Sequence, residues 1–191
     1  MCVLGNYVED SDGPALLVIQ EFYNLYLGID PGLQGGYALV SQDSKVIMAS
    51  PLPLSTIDEK KTINSLMLYE NLKRYVEHIK YGAIELVHAM PKQGVVSTFT
   101  FGKGYGAVLS VLDVLKINYT QISPQRWKKE VLGEVTSDKD KSIEYAKKLD
   151  SNREYINIRR NFKPHDGVAE AICLAIYARK TGKDLKHGRV E

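Results

Sequence analysis

The sequence predicts an α/β domain in which helices are layered on a mixed sheet. Three observations carry that expectation. Short apolar runs bounded by turn residues fill positions 24–50, a 3.6-residue apolar period begins after residue 61, and strand-like and helix-like segments then alternate to residue 180.

The first strand spans residues 24–29 and ends at Asp30-Pro31-Gly32. Two more follow at 36–41 (GYALVS) and 45–50 (KVIMAS), parted by the polar Gln42-Asp43-Ser44, a pattern that reads as an antiparallel meander. A long helix is expected over 61–80, where Ile63, Leu66, Leu68, Leu72, Tyr75, Val76 and Ile79 largely keep helical spacing. Residues 83–87 read as a strand, 104–116 as a helix and 118–122 as a strand. Ser123 and Pro124 suit the cap and first turn of another helix, and helices at 139–149 and 166–180 complete the chain. The order βββαβαβ followed by helices fits one domain over 23–182. Residues 183–191 then form a tail, and 1–22 precede the domain with a turn at 10–14 (DSDGP). For that leading segment an ordered extension, a disordered arm and translation from an upstream start all stay open.

Composition narrows the class. In 191 residues, 44% hydrophobic and 25% charged content is that of a folded domain and not of a disordered chain. The net charge of +2 does not announce a nucleic-acid partner, so any such surface must come from local clustering. Cys2 and Cys173 have no metal-like spacing and read as reduced thiols, with Cys173 in a buried helix. No apolar run is expected to cross a bilayer, and no basic or Arg- and Ser-rich leader is evident, so a cytoplasmic location is expected.

Four carboxylates stand out. Asp30 ends the first strand ahead of a tight turn, a place where groups project from a sheet toward ligands; it also fits a simple turn cap. Glu85 lies in Ala83-Ile84-Glu85-Leu86-Val87, where an ionised carboxylate requires a cation, hydrogen bonds or water. Asp166 and Glu170 are spaced i, i+4 at the head of an apolar helix, so both share one face and repel each other unless something positive intervenes. Asp166 is the expected N-cap of that helix. Hard divalent cations favour all-oxygen sites of this kind.

The phrases Gly28-Ile29-Asp30-Pro31-Gly32, Ile84-Glu85-Leu86-Val87-His88-Ala89-Met90-Pro91 and His165-Asp166-Gly167-Val168-Ala169-Glu170-Ala171 occur in an order that resembles RuvC-like Holliday junction resolvases. The likeness is closest to the phage and chloroplast branch, which also resembles this chain at Pro124-Gln125-Arg126-Trp127-Lys128 and at Lys139-Asp140. It covers roughly residues 24–180. The resemblance implies a ribonuclease H-like, three-layer α/β/α fold with a five-stranded mixed sheet. It further implies a homodimer that binds four-way DNA junctions and resolves them by metal-dependent hydrolysis, with two Mg²⁺ ions per active site and Mn²⁺ able to substitute. Catalytic and metal-binding roles fall on Asp30, Glu85, Asp166 and Glu170, with His165 a further candidate ligand. The setting implied is the nucleoid of a bacterial or phage-infected cell. One departure matters: the standard bacterial spacing of the last two ligands is i, i+3, which would place Gly167 in the earlier position.

Residues 126–163 hold 11 Lys or Arg against 7 Asp or Glu. Lys128, Lys129, Lys139 and Lys141 are candidate phosphate contacts, which would make binding salt-dependent. Residues 90–105 interleave Lys92, Gln93, Phe99, Phe101, Lys103 and Tyr105 on an expected loop able to stack on unpaired bases. Core or dimer-interface packing is an equal expectation for one of the two phenylalanines. His88 sits where the resembled family often has a DNA-stacking aromatic. A less selective fork or flap nuclease and a non-cleaving branched-DNA binding protein are the alternatives. An actin-like ATPase is disfavoured by the short chain and the lack of a later Gly-rich phosphate loop.

Overall fold

The computed structural model describes residues 24–88, 94–135, 139–150, 159–160 and 163–182. The 1–22 and 183–191 segments, Lys92, Gln93 and the side chain of Lys139 lie outside the described residues. Strands β1 (Leu25–Asp30), β2 (Gly36–Ser41) and β3 (Val46–Pro51) form the antiparallel meander. Strands β6 (Ile79–Glu85) and β7 (Tyr119–Ile122) add to β1 in parallel, giving a five-stranded mixed sheet of order β3-β2-β1-β6-β7. β1 is buried along nearly its whole length, as a central strand covered on both faces must be.

Strand alternation divides the core in two. Leu25, Leu27, Ile29 and Ile84 pack with α1 (Ser65–Lys73) and α2 (Val95–Val114). Tyr26, Tyr81 and Ala83 face the other way, against α3 (Pro124–Leu132), α4 (Lys139–Leu149) and α5 (Asp166–Thr181). The result is the expected three-layer α/β/α arrangement. Helix α5 runs across β1 at Gly28, where an added Cβ would lie 2.1 Å from the Ala171 carbonyl oxygen and 2.2 Å from the Ala175 nitrogen. That contact brings the helix's first two turns over the C-terminal end of β1.

Two elements differ from expectation. The long helix over 61–80 is α1 alone, because residues 54–63 form a hairpin of β4 (Leu54–Ile57) and β5 (Lys60–Ile63). Its two-residue turn puts Asp58 and Glu59 at φ 47° and 63°, the geometry of tight hairpins. Asn64 then starts the helix by accepting a 2.9 Å hydrogen bond from the Met67 amide. The chain turns after Lys73, so Ile79 opens β6 instead of closing a helix.

Helix α2 begins at Val95, nine residues earlier than expected, so Phe99, Phe101, Lys103 and Tyr105 are helical and not on a loop. It is also long and apolar enough to cross a membrane by length and composition, contrary to the reading of the sequence. One face nonetheless packs into the core through Gly104, Val108, Val111 and Leu112. Two short strands, β8 (Arg159–Arg160) and β9 (Lys163–Pro164), pair ahead of α5.

Candidate active site

Period-two alternation decides where the first two carboxylates point. Asp30 continues the Tyr26–Gly28 side of β1, and Glu85 continues the Tyr81–Ala83 side of β6, so both leave the sheet toward α3 and α5. They stand one residue beyond the Ile29–Ile84 pairing of these parallel neighbours, at the C-terminal strand ends. On α5, Asp166 is half-buried and Glu170 buried, one turn apart on the same face.

Electrostatics ties the four together. The Asp30 carboxyl is lifted from 3.8 to about 7, first by burial and then by the negative charge of Glu170 and of Glu85. The Gly32 amide, donating to Asp30 Oδ1 at 3.4 Å, opposes the shift, and Asp166 adds to it. Among the described residues no three His, Cys, Asp or Glu side chains already form a closed metal cage. The arrangement is instead an open ring of oxygen donors carrying more negative charge than the fold neutralises. That donor chemistry suits a hard divalent cation, which commonly takes one or two carboxylates and completes its shell with water and phosphate.

Asp30's own effect on stability has a definite sign. Its folded value lies above its unfolded one, so its contribution is full below about pH 4 and is lost as pH rises toward 7. The loss in metal-free protein is on the order of a few kcal/mol. Melting curves in EDTA between pH 5 and 8, compared with Asp30→Asn, should show the wild type losing ground as pH rises. A wild type that gains on the variant across that window contradicts the assignment.

Helix α3 delivers two adjacent side chains into the ring. The Trp127 indole N–H donates to Glu85 Oε2 at 2.8 Å, and Trp127 is fully buried. Lys128 Nζ lies 3.5 Å from Glu170 Oε1, with both side chains nearly buried at 12% and 11% exposure. The sequence placed Lys128 among outward phosphate contacts; the structure places it inside the carboxylate ring, where it offsets the charge of Glu170. Removing it leaves an uncompensated charge, so Lys128→Met should cost about 2–3 kcal/mol in EDTA at pH 8. Mg²⁺ should restore much of that loss, as read from the melting midpoint with and without the ion.

His165, and not Asp166, is the N-cap of α5: its buried Nδ1 accepts from the Val168 amide at 3.3 Å. Asp166 follows as the first helical residue. The position of the acid is also explained. A Cβ on Gly167 would lie 2.3 Å from the Gln34 carbonyl oxygen, because the helix start packs directly on the loop after β1. No side chain fits at 167, which leaves Asp166 as the acid one turn before Glu170. The remaining sequence-predicted contacts surround the site loosely. His88, Phe99, Lys103 and Lys129 are exposed, Phe101 is half-buried, and Lys141 pairs with Glu134.

The family model for crossover junction endodeoxyribonuclease RuvC matches residues 26–178. This chain belongs to the RuvC family. All four carboxylates lie inside the matched region, and the family is divalent-metal-dependent. The RuvC of Wolbachia sp. subsp. Drosophila simulans (strain wRi) is 26% identical over 78% of this chain and 92% of its own length. The RuvC of Wolbachia sp. subsp. Brugia malayi (strain TRS) is 24% identical over 77% and 91%. Among solved structures, Thermus thermophilus RuvC superposes with a TM-score of 0.52 at 16% identity, covering 80% of this chain and 91% of that one. The T. thermophilus RuvC in complex with Holliday junction substrate gives 0.53 at 17%, covering 83% and 97%. At such identities the likeness to solved structures establishes the RuvC fold.

Proposed function

We propose that this RuvC-family chain binds four-way DNA junctions as a homodimer and resolves them by symmetric hydrolysis of phosphodiester bonds. Asp30, Glu85, Asp166 and Glu170 would hold Mg²⁺, with Mn²⁺ able to substitute and two ions per site. The observation that carries this reading is the convergence of three carboxylates on Asp30, strong enough to hold its proton to about pH 7. Bound divalent cations supply Lewis-acid stabilisation of charge at the attacking and leaving oxygens. The chain's own residues do the rest. Asp30 gives up its proton for the site to load, so loading strengthens as pH rises through about 7. Lys128 limits the repulsion that Glu170 adds to the ring. Water attacks phosphorus, the bridging sugar oxygen leaves, and a ligatable nick results.

Support for a dimer comes from α2, whose outer face exposes Val95, Val96, Phe99 and Val114. Gly102 and Gly106, one turn apart on that helix, have no heavy atom within 4 Å of an added Cβ, so another backbone can approach closely. His88, Lys103, Lys129 and Lys141 are placed to meet DNA arms around the site, and Lys92, Gln93 and Lys139 are assigned the same role on the sequence alone.

Cleavage of junction, fork, flap and linear duplex built from the same arms tests the proposal. The expected result is Mg²⁺-dependent paired nicks in the junction and at least about tenfold slower cutting of the others. Equal cutting of forks and flaps would favour the less selective nuclease. Tight junction binding without product would favour the binding protein.

A further inference from the structure

We propose that Trp127 is a positioning residue for Glu85, fixing that carboxylate for the divalent cation through its indole N–H. The inference rests on the reading above that Glu85 holds the metal. The geometry that carries it is local and specific. Trp127 is fully buried, and its single polar atom lies 2.8 Å from Glu85 Oε2. An indole N–H is a neutral donor with no acceptor capacity. It therefore fixes one carboxylate oxygen without cancelling the charge a cation needs, which a lysine at the same place would do. The neighbouring pair shows the contrast: Lys128 delivers a full positive charge to Glu170 from the same helix, with its ammonium 5.2 Å from the Trp127 ring centroid. One turn of α3 thus treats two carboxylates differently, neutralising one and orienting the other.

Trp127 is also the only tryptophan in the chain, so its fluorescence reports on this hydrogen bond alone. Mg²⁺ titrated into the free wild-type enzyme should change the emission, and Glu85→Gln should abolish that change. Trp127→Phe keeps an aromatic ring and removes the donor. Its Mg²⁺ concentration for half-maximal junction cleavage should rise about 10–100-fold, the usual effect of losing a group that orients a metal ligand. Its rate at saturating Mg²⁺ should recover most of the wild-type value. A packing role alone would lower stability and rate at every Mg²⁺ concentration without moving the half-saturation point.

The outcomes separate the two readings. If Glu85→Gln cuts junctions with wild-type Mg²⁺ dependence, the assignment of Glu85 as a ligand falls. If Glu85→Gln is inactive while Trp127→Phe keeps wild-type half-saturation, only the role of Trp127 falls. Should Trp127→Phe fail to fold, the wild-type titration decides: emission unmoved by Mg²⁺ at concentrations that support cleavage overturns the proposal.

Discussion

Asp30→Asn should abolish junction cleavage and, in the same molecule, raise the melting midpoint of the metal-free protein at pH 8. The two effects have one cause. Asp30 is buried beside Glu170, Glu85 and Asp166, and above about pH 7 its charge is held there against desolvation and repulsion. An amide of the same shape removes that penalty while removing a cation donor. The expected loss of cleavage is about 10³-fold or more, and the expected gain in metal-free stability is on the order of a few kcal/mol. Mg²⁺ should then stabilise the wild type more than the variant. Melting curves with EDTA or Mg²⁺, alongside a cleavage time course, check both halves. A variant that is both inactive and less stable in EDTA would make Asp30 a structural residue.

The second large effect is on the scaffold. Gly28→Ala should cost about 3 kcal/mol or more, at the upper end of what overpacking does, because both atoms its Cβ meets belong to the α5 backbone. A side chain could turn away, whereas a helix backbone has to lift off the sheet. Asp166 and Glu170 ride on that helix, so any folded Gly28→Ala protein should bind divalent cations more weakly. Chemical denaturation measures the first effect and Mg²⁺-dependent shifts in melting midpoint the second. Ala at Gly94, Gly102 or Gly106, where an added Cβ meets nothing within 4 Å, serves as the control.

Much of the fold was legible because the sheet is built from short, strongly apolar strands with turn residues at their ends. The meander, β6, β7 and the three helices of the Trp127 side follow from period and punctuation. The β4–β5 hairpin was not legible. Ile63 continues a helical spacing into α1, while its actual turn, Asp58-Glu59, carries no glycine to mark positive φ. The early start of α2 was hidden by Gly102, Gly104 and Gly106, which read as a loop; of these, Gly104 packs against Ile63.

For the site, the strand-end position of Asp30 and the apolar surroundings of Glu85 were visible in one dimension. Partners that meet across the fold were not. Nothing in the sequence says that Trp127 reaches Glu85, or that Lys128 is nearly buried against Glu170 instead of facing DNA. The choice of His165 over Asp166 as cap was equally hidden, since it depends on how the helix start sits on the loop after β1. Gly167 offered a signal in retrospect: a glycine at an expected acidic position marks a backbone approach too close for any side chain.

The central claim is that four carboxylates from β1, β6 and α5 form one metal-dependent cleavage centre. The most direct measurement is single-turnover cleavage of a synthetic four-way junction in Mg²⁺ by wild type, Asp30→Asn, Glu85→Gln, Asp166→Asn and Glu170→Gln, with junction binding followed in parallel. All four variants are expected to bind the junction and to lose about 10³-fold or more in cleavage. Wild-type cleavage by any one of them, or wild-type cleavage that persists in EDTA, would contradict it.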